Sequence, residues 1–480
     1  ANNSAGPAQM TLNLIINGPL PAPSITSSST ITGEVGQSLS YQITATNSPT
    51  SYNAVVLPPS VYVNTNTGQV YGVPQAPGTY HITVSATDSS GTGSLPATLT
   101  IKPALPVIVG ATLMSVVAGQ SFSYQISAEN QPTSFSLVGQ PTGVSVNSST
   151  GLIVGRVNTP GVYNLTLEAA NATGTTSYNF QLDVLSTAPT PIVVTNTNDS
   201  GTGSLRAAIT AANAAPGSTI TFANGLSGTI TLASNLPTLT TDVSIQGPGS
   251  STLAISGAGL YRIFRCGTGP AAGQFPSTGT GGTATISGLT LENGSDQSDN
   301  SGGSAVLVST ASNLNLSNCV ITNNSSADFV GGAISNIGLA TINNSTISQN
   351  KIVAQSQVGG AIANCGILNI LNSAIQSNTA PSGDGGAVWN DSSNTGYGDM
   401  QPILTLSNDT FTNNTCPWTG TSSGTSGGAI QNFSYCNISD STFTGNVAEF
   451  GGGIWDAGTM NVDSSTFVGN GYAGSWTPYS

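Results

Sequence analysis

Hydrolytic chemistry in this chain would have to come from carboxylates. Asp384, Asp391, Asp399, Glu449 and Asp456 stand in one stretch of the second half, and cleavage of a glycosidic bond asks only for two such groups at a fixed separation. Each stands singly in a turn-like or loop-like segment, where Asp ordinarily accepts neighbouring backbone N–H groups. Trp389, Trp418 and Trp455 offer aromatic faces for a sugar, with packing into core or loops as the other reading. Base-driven elimination needs Arg or Lys beside a carboxylate-bound cation. Past Arg265 the sequence holds one basic residue, Lys351, directly after Asn350, and no histidine; a solvated turn lysine accounts for it. The single histidine, His81, lies on the polar side of an alternating strand, so no Ser–His–Asp triad can be assembled. Asp88 with its Ser neighbours is one carboxylate, too few for a calcium site. The expectation is a non-enzyme with no catalytic, cofactor-binding or metal-ligating residues and no cofactor.

The elements that would hold such residues follow from composition and periodicity. Of 480 residues only 5% are charged, with 6 Lys+Arg against 19 Asp+Glu and a net charge of −13. Phosphate backbones need a basic stripe that this chain cannot build, which excludes nucleic acid as a partner. Gly 59 and Pro 26, with abundant Ser, Thr and Asn, supply turns between short strands. Aliphatic residues alternate between those turns, as in strands with one buried face. No run of 18 or more apolar residues occurs, so no helical membrane span is expected. Ala1 begins no signal peptide, which implies a removed leader or a portion of something longer. The five cysteines, Cys266, Cys319, Cys365, Cys416 and Cys436, form no close CxxC pair. Buried free thiols and one disulfide, Cys416 with Cys436, are the two readings.

Internal repetition decides the architecture. Gly36-Gln-Ser-Leu-Ser-Tyr-Gln-Ile returns as Gly119-Gln-Ser-Phe-Ser-Tyr-Gln-Ile, an offset of 83 that also relates Val63-Asn-Thr-Asn-Thr-Gly68 to Val146-Asn-Ser-Ser-Thr-Gly151 and Pro77-Gly-Thr-Tyr80 to Pro160-Gly-Val-Tyr163. Within a copy Tyr80, Ile82 and Val84 point one way while His81, Thr83 and Ser85 point the other, the mark of a half-buried antiparallel strand. Six or seven such strands per copy suit a β-sandwich. On these motifs the two copies resemble the immunoglobulin-like domains found in tandem on bacterial surface proteins. Ala1 to Ile16 matches only the last hairpin of a copy. It is read as the tail of a further domain in a longer array, or as strands donated to a neighbouring subunit.

After the linker Thr187-Ala-Pro-Thr-Pro-Ile192 the pattern changes. Ser204 caps one amphipathic helix whose face is Leu205, Ala208, Ile209 and Ala212, with Pro216-Gly217 as its stop. Such a helix covers the open end of a solenoid. Then Gly-Gly-Ala-Ile-x-Asn and Leu-x-Ile-x-Asn-Ser-x-Phe/Ile-x-x-Asn recur, with coil starts at Gly331, Gly359, Gly385, Gly427 and Gly452. The columns Ile334/Ile362/Val388/Ile430/Ile454, Ile342/Ile370/Leu406/Ile438/Val462 and Ile347/Ile375/Phe411/Phe443/Phe467 are expected inside. Two Asn columns, Asn336/Asn364/Asn390/Asn432/Asp456 and Asn324/Asn350/Asn378/Asn414/Asn446/Asn470, are expected as corner ladders. These repeats and the opening TNDSGxGSLRxAI resemble the right-handed parallel β-helix of bacterial polymorphic outer-membrane and autotransporter-type adhesins.

The predicted fold class is therefore all-β: two tandem Ig-like β-sandwiches followed by a right-handed parallel β-helix with an N-terminal capping helix. Its expected segments are 1–17, a terminal hairpin; 18–103 and 104–187, the sandwiches; and 188–480, the β-helix. The resemblance implies an extracellular or cell-surface structural or adhesive protein, a segment of a fibre or filament. Its partners would be further copies, head-to-tail or along a fibre, and surface glycans or host and neighbour cell surfaces. A polysaccharide-binding or polysaccharide-degrading β-helix of glycoside hydrolase type is the alternative.

Overall fold

The computed structural model describes residues 2–3, 6–7, 21–269, 279–296, 302–326, 331–353, 358–381, 383–391, 401–417 and 425–472. Two compact units divide the chain, residues 1–104 and 105–480. Most of the expected 1–17 hairpin lies outside the described residues; Asn2–Asn3 and Gly6–Pro7 form a short antiparallel pair.

The first unit holds a β-sandwich. A four-stranded sheet orders Thr30–Glu34, Gly91–Lys102, Gly78–Asp88 and Ser51–Val55, and a three-stranded sheet orders Leu39–Gln42, Gln69–Gly72 and Val61–Val63. Alternation places Ile82 and Val84 of one sheet in the core with Leu39 and Val70 of the other. His81 is exposed on the opposite face of its strand.

The second unit opens with the same sandwich. Leu113–Val117, Thr175–Leu185, Gly161–Ala170 and Ser134–Val138 form one sheet, and Ser121–Gln125, Leu152–Arg156 and Val144–Val146 the other. An extra antiparallel pair, Val107–Val109 with Ser127–Glu129, lies at its edge.

From Ile192 onward the chain winds into a parallel β-helix. Sheet A stacks ten strands from Ile192–Val194 to Thr459–Asp463, sheet B nine from Gly228–Thr231 to Thr466–Val468, and sheet C seven from Phe264–Cys266 to Ile454–Asp456. Strand stacking at about 4.8 Å per coil makes sheet A about 43 Å long. Every pairing among these strands is parallel and in register, so the three predicted apolar columns line one interior core as far as Ile430, Ile438 and Phe443, with Ile454 half-buried and Val462 and Phe467 exposed in the last described coil. Phe411 and Phe443 stack with ring centroids 4.8 Å apart, and Phe443 and Phe467 at 4.7 Å. The helix Leu205–Asn213 is capped by Ser204, whose hydroxyl accepts from the Ala207 N–H, and it buries Leu205, Ala208, Ile209 and Ala212 in the same core.

Both predicted Asn columns are hydrogen-bonded ladders. Asn324, Asn350, Asn378, Asn414 and Asn446 each donate from Nδ2 to Oδ1 of the next, ending on Asn470, at 2.9–3.0 Å. Asn336, Asn364, Asn390 and Asn432 do the same, ending on Asp456. One register in the sequence reading needs correction. The corner glycine of the last described coil is Gly451, with φ 62, not Gly452, because Ile430 pairs with Ile454 and so aligns Gly427 with Gly451. Three consecutive glycines left that register open to sequence inspection. Of the two cysteine readings, buried free thiols is the one the structure shows, and no Cys416–Cys436 disulfide forms: all five cysteines are free and buried. Cys416 packs with Ile352, Ala380 and Ala448, while Cys436 belongs to the main interior core.

Candidate functional site: the seam between sandwich and β-helix

The residues singled out for chemistry are dispersed and mostly occupied by backbone groups. Asp384 accepts from the Ser426 N–H at 2.9 Å and its hydroxyl at 2.7 Å. Glu449 accepts from the adjacent Thr425 N–H at 3.3 Å. Asp456 receives the end of an Asn ladder at 2.6 Å, and Asp391 is buried beside the same ladder, its N–H on the Asn364 carbonyl. Asp399 and Trp418 lie outside the described residues. Trp455 packs edge-on against Phe433, centroids 4.9 Å apart, and Trp389 is fully buried. Lys351 is exposed on a two-residue strand. Asp88 closes its own turn, accepting from Ser90 and Gly91 N–H groups. Burial pushes the thiols of Cys266 and Cys436 up to about 12 and that of Cys319 to about 11, which keeps them protonated and poorly nucleophilic.

A feature that the sequence reading missed is the face on which the second sandwich docks. Successive side chains of a strand point to opposite sides, so in sheet A Ala340 and Ile342 enter the core while Leu339, Thr341 and Asn343 face out. The first outward column reads Asn313, Leu339, Ile367, Ile403, Tyr435 and Thr459 in register. Its apolar middle is anomalous for an outer face. Val109, 1% exposed, fills it, in one cluster with Leu307, Ile337, Ile367 and Trp389. At about 25 cal/mol per Å² of apolar surface removed from water, such a cluster stabilises docking by several kcal/mol.

Polar groups fix the register of this contact. The Gly110 N–H donates to the Thr310 carbonyl at 3.0 Å, the Ala111 N–H to Asn313 Oδ1 at 2.9 Å and the Thr112 N–H to the Gly281 carbonyl at 2.9 Å. Gly110 has φ 122, and a Cβ there would stand 2.6 Å from Asn313 Oδ1, so only glycine fits. Tyr124 and Tyr178 hold the same segment from behind, donating to the carbonyls of Ala111 and Gly110 at 2.9 and 2.7 Å. Gln131 donates from Nε2 to the Tyr435 hydroxyl.

Two carboxylates sit in the seam. Asp242 accepts from the Ser115 N–H of the sandwich and, at 2.7 Å, from the Thr283 N–H of sheet A. Burial pushes it up to about 6 although both N–H groups favour its charged form. Glu129 is 0% exposed, and neither carboxylate oxygen has a hydrogen-bond partner. Burial holds its carboxyl well above the usual carboxylate range.

Beside Asp242 the sandwich and sheet A leave a cleft of about 390 Å³ between them. The chemistry it can do is hydrogen bonding by neutral groups.

Among known proteins, residues 22–102 and 105–185 each match the family model described as "Putative Ig domain". No curated protein matches the sequence. Solved structures similar to the chain include the I-band fragment I67–I69 of titin, at 17% identity over 38% of this chain and 74% of that one with a TM-score of 0.26. Sidekick-1 immunoglobulin domains 1–4 match at 16% identity over 35% and 50%, TM-score 0.28. A Bacteroides fragilis protein described as a "putative alpha-galactosidase" matches at 21% identity over 25% and 28%, TM-score 0.17. Two segments of the chain thus match this immunoglobulin-like domain model and fold as β-sandwiches, and a parallel β-helix follows them.

Proposed function

We propose that the chain is an extracellular structural or adhesive surface protein, a segment of a fibre, that performs no catalysis. The observation that carries this reading is the self-consumption of polar side chains in the β-helix. Its two Asn ladders run from coil to coil with each amide spent on the next, and every core column is continuous. Each coil presents the stacking edge that the next one uses, so a second copy can be received by the same columns and ladders.

Electron microscopy of the purified chain over rising concentration tests the fibre reading. Filaments or end-to-end rows are expected; monodisperse particles at every concentration would overturn it. A second reading, glycoside hydrolysis, is favoured by the convergence of Asp384 and Glu449 on adjacent backbone N–H groups of one coil. Reducing ends released from polysaccharide by the chain, and lost in Asp384→Asn, would put that reading in first place.

A further inference from the structure

We infer that the cleft between the second sandwich and sheet A is a binding site for a neutral, hydroxyl-rich saccharide. Ser123 and Gln125 of the sandwich face Ser244, Thr285 and Asn315 of sheet A across it, with Asp242 at the base. Ser244, Thr285 and Asn315 stand in register on three successive coils, which sets donor and acceptor groups about 4.8 Å apart along the helix axis. The side chains of Ser123, Thr285 and Asn315 make no hydrogen bond to any described residue, unlike the ladder amides inside the corners.

The lining selects its ligand by chemistry. No Lys, Arg or His borders the cleft, so a carboxylated or sulfated sugar would meet no counter-charge. Asp242 is committed to two backbone N–H groups and leaves little to attract a cation. Hydroxyl and amide side chains both donate and accept, as sugar hydroxyls do, while Met114 and Leu339 supply apolar surface for the C–H face of a ring. A volume of about 390 Å³ is within the range of small-molecule sites, which favour domain interfaces. The site exists only while the sandwich is docked, since the sandwich and the β-helix both contribute to the lining. It is independent of fibre assembly.

Titration calorimetry and saturation-transfer NMR on the full chain test this, with cellotriose, mannotriose, maltotriose and chitotriose as probes and trigalacturonate as the anionic control. At least one neutral trisaccharide should bind saturably, and Thr285→Ala with Asn315→Ala should weaken it at least tenfold. Thr405→Ala with Asn437→Ala alters the same outward column outside the cleft and should leave affinity unchanged. All four side chains lie on the outward face, Asn315 and Asn437 exposed and Thr285 and Thr405 half-buried, so the substitutions spare the core, and circular dichroism checks the fold of each. Saturable binding of no neutral probe, preference for trigalacturonate, or equal loss in the two double variants would overturn the assignment, whatever the micrographs show.

Discussion

The two sandwiches are duplicates in how they fold and differ in what they touch. Asn64 and Asn147 each cap a turn by accepting two backbone N–H groups, Gln42 and Gln125 each donate to a turn carbonyl at 2.6 Å, and Asn47 and Asn130 share a positive φ. At the offset of 83, however, the exposed Ser24, Thr26 and Thr46 of the first copy become Val107, Val109 and Glu129. Leu95 likewise becomes Tyr178, whose hydroxyl pins the segment that enters the seam. The residues that dock the second copy thus lie mostly at positions exposed in the first, while the turn residues are shared and the core is repacked with apolar residues (Ala54 to Leu137, Ala97 to Phe180), which separates the code for folding from the code for association.

The largest test of that separation is a charge placed in the seam. Val109→Asp buries an unpaired carboxylate among Leu307, Ile367 and Trp389, and is expected to cost about 3 kcal/mol or more. The matched Thr26→Asp, on an exposed position, should stay within about 0.5 kcal/mol. Thermal unfolding and limited proteolysis read both. Equal and small effects would show that the seam is no structural joint.

Proton linkage gives the next effect. Glu129, Asp242 and Asp409 all titrate above the ordinary carboxylate range because burial disfavours their charge. The folded chain therefore holds more protons than the unfolded one, and stability falls as pH rises. The loss begins near the ordinary carboxylate range and passes through about 6 for Asp242 and about 7 for Asp409, at up to about 1.4 kcal/mol per pH unit for each group. Glu129→Gln keeps shape and removes the titration, so its unfolding midpoint should fall less between pH 4 and 8, a range set by those ordinary and raised values. An unchanged slope would mean that Glu129 is ionised in the fold. The equivalent Thr46 in the first copy has nothing to titrate.

On the β-helix side, Ile367→Ala removes a side chain packed against the sandwich and should cost about 2 kcal/mol. Thr459, in the same outward column but an exposed position, should tolerate Ala within about 0.5 kcal/mol. Urea midpoints at constant m distinguish the two.

How much of this was legible depended on whether a residue's neighbours lie at a repeat distance. The interior columns and both Asn ladders were readable because each coil restates them, and the capping helix because Ser204 and its apolar face are local signals. Gly451 was misplaced because adjacent glycines erase the register. The seam was hidden for the opposite reason: Leu339, Ile367, Ile403 and Tyr435 face residues more than 200 positions away in sequence, and one coil alone shows only ordinary variation. The signal was present as an apolar break in an outward column, and as polar-to-apolar exchange between the sandwich copies. The carboxylates were easier to list than to place, since the groups they serve, such as Thr425 and Ser426 for Glu449 and Asp384, sit on other coils.

The smallest effect sharpens the comparison from the other side. Ser24→Val with Thr26→Val gives the first copy the aliphatic pair of the second. Thr26 shares a surface hydrogen bond with Thr44, at 2.9 Å between hydroxyls, worth less than about 1 kcal/mol where water competes. The added valines gain only what burial supplies, and both positions are exposed. The first unit should therefore change by no more than about 0.5 kcal/mol in its urea unfolding. A gain above about 1 kcal/mol would show that the first copy already faces an apolar surface of its own, and that association was present before the two copies diverged.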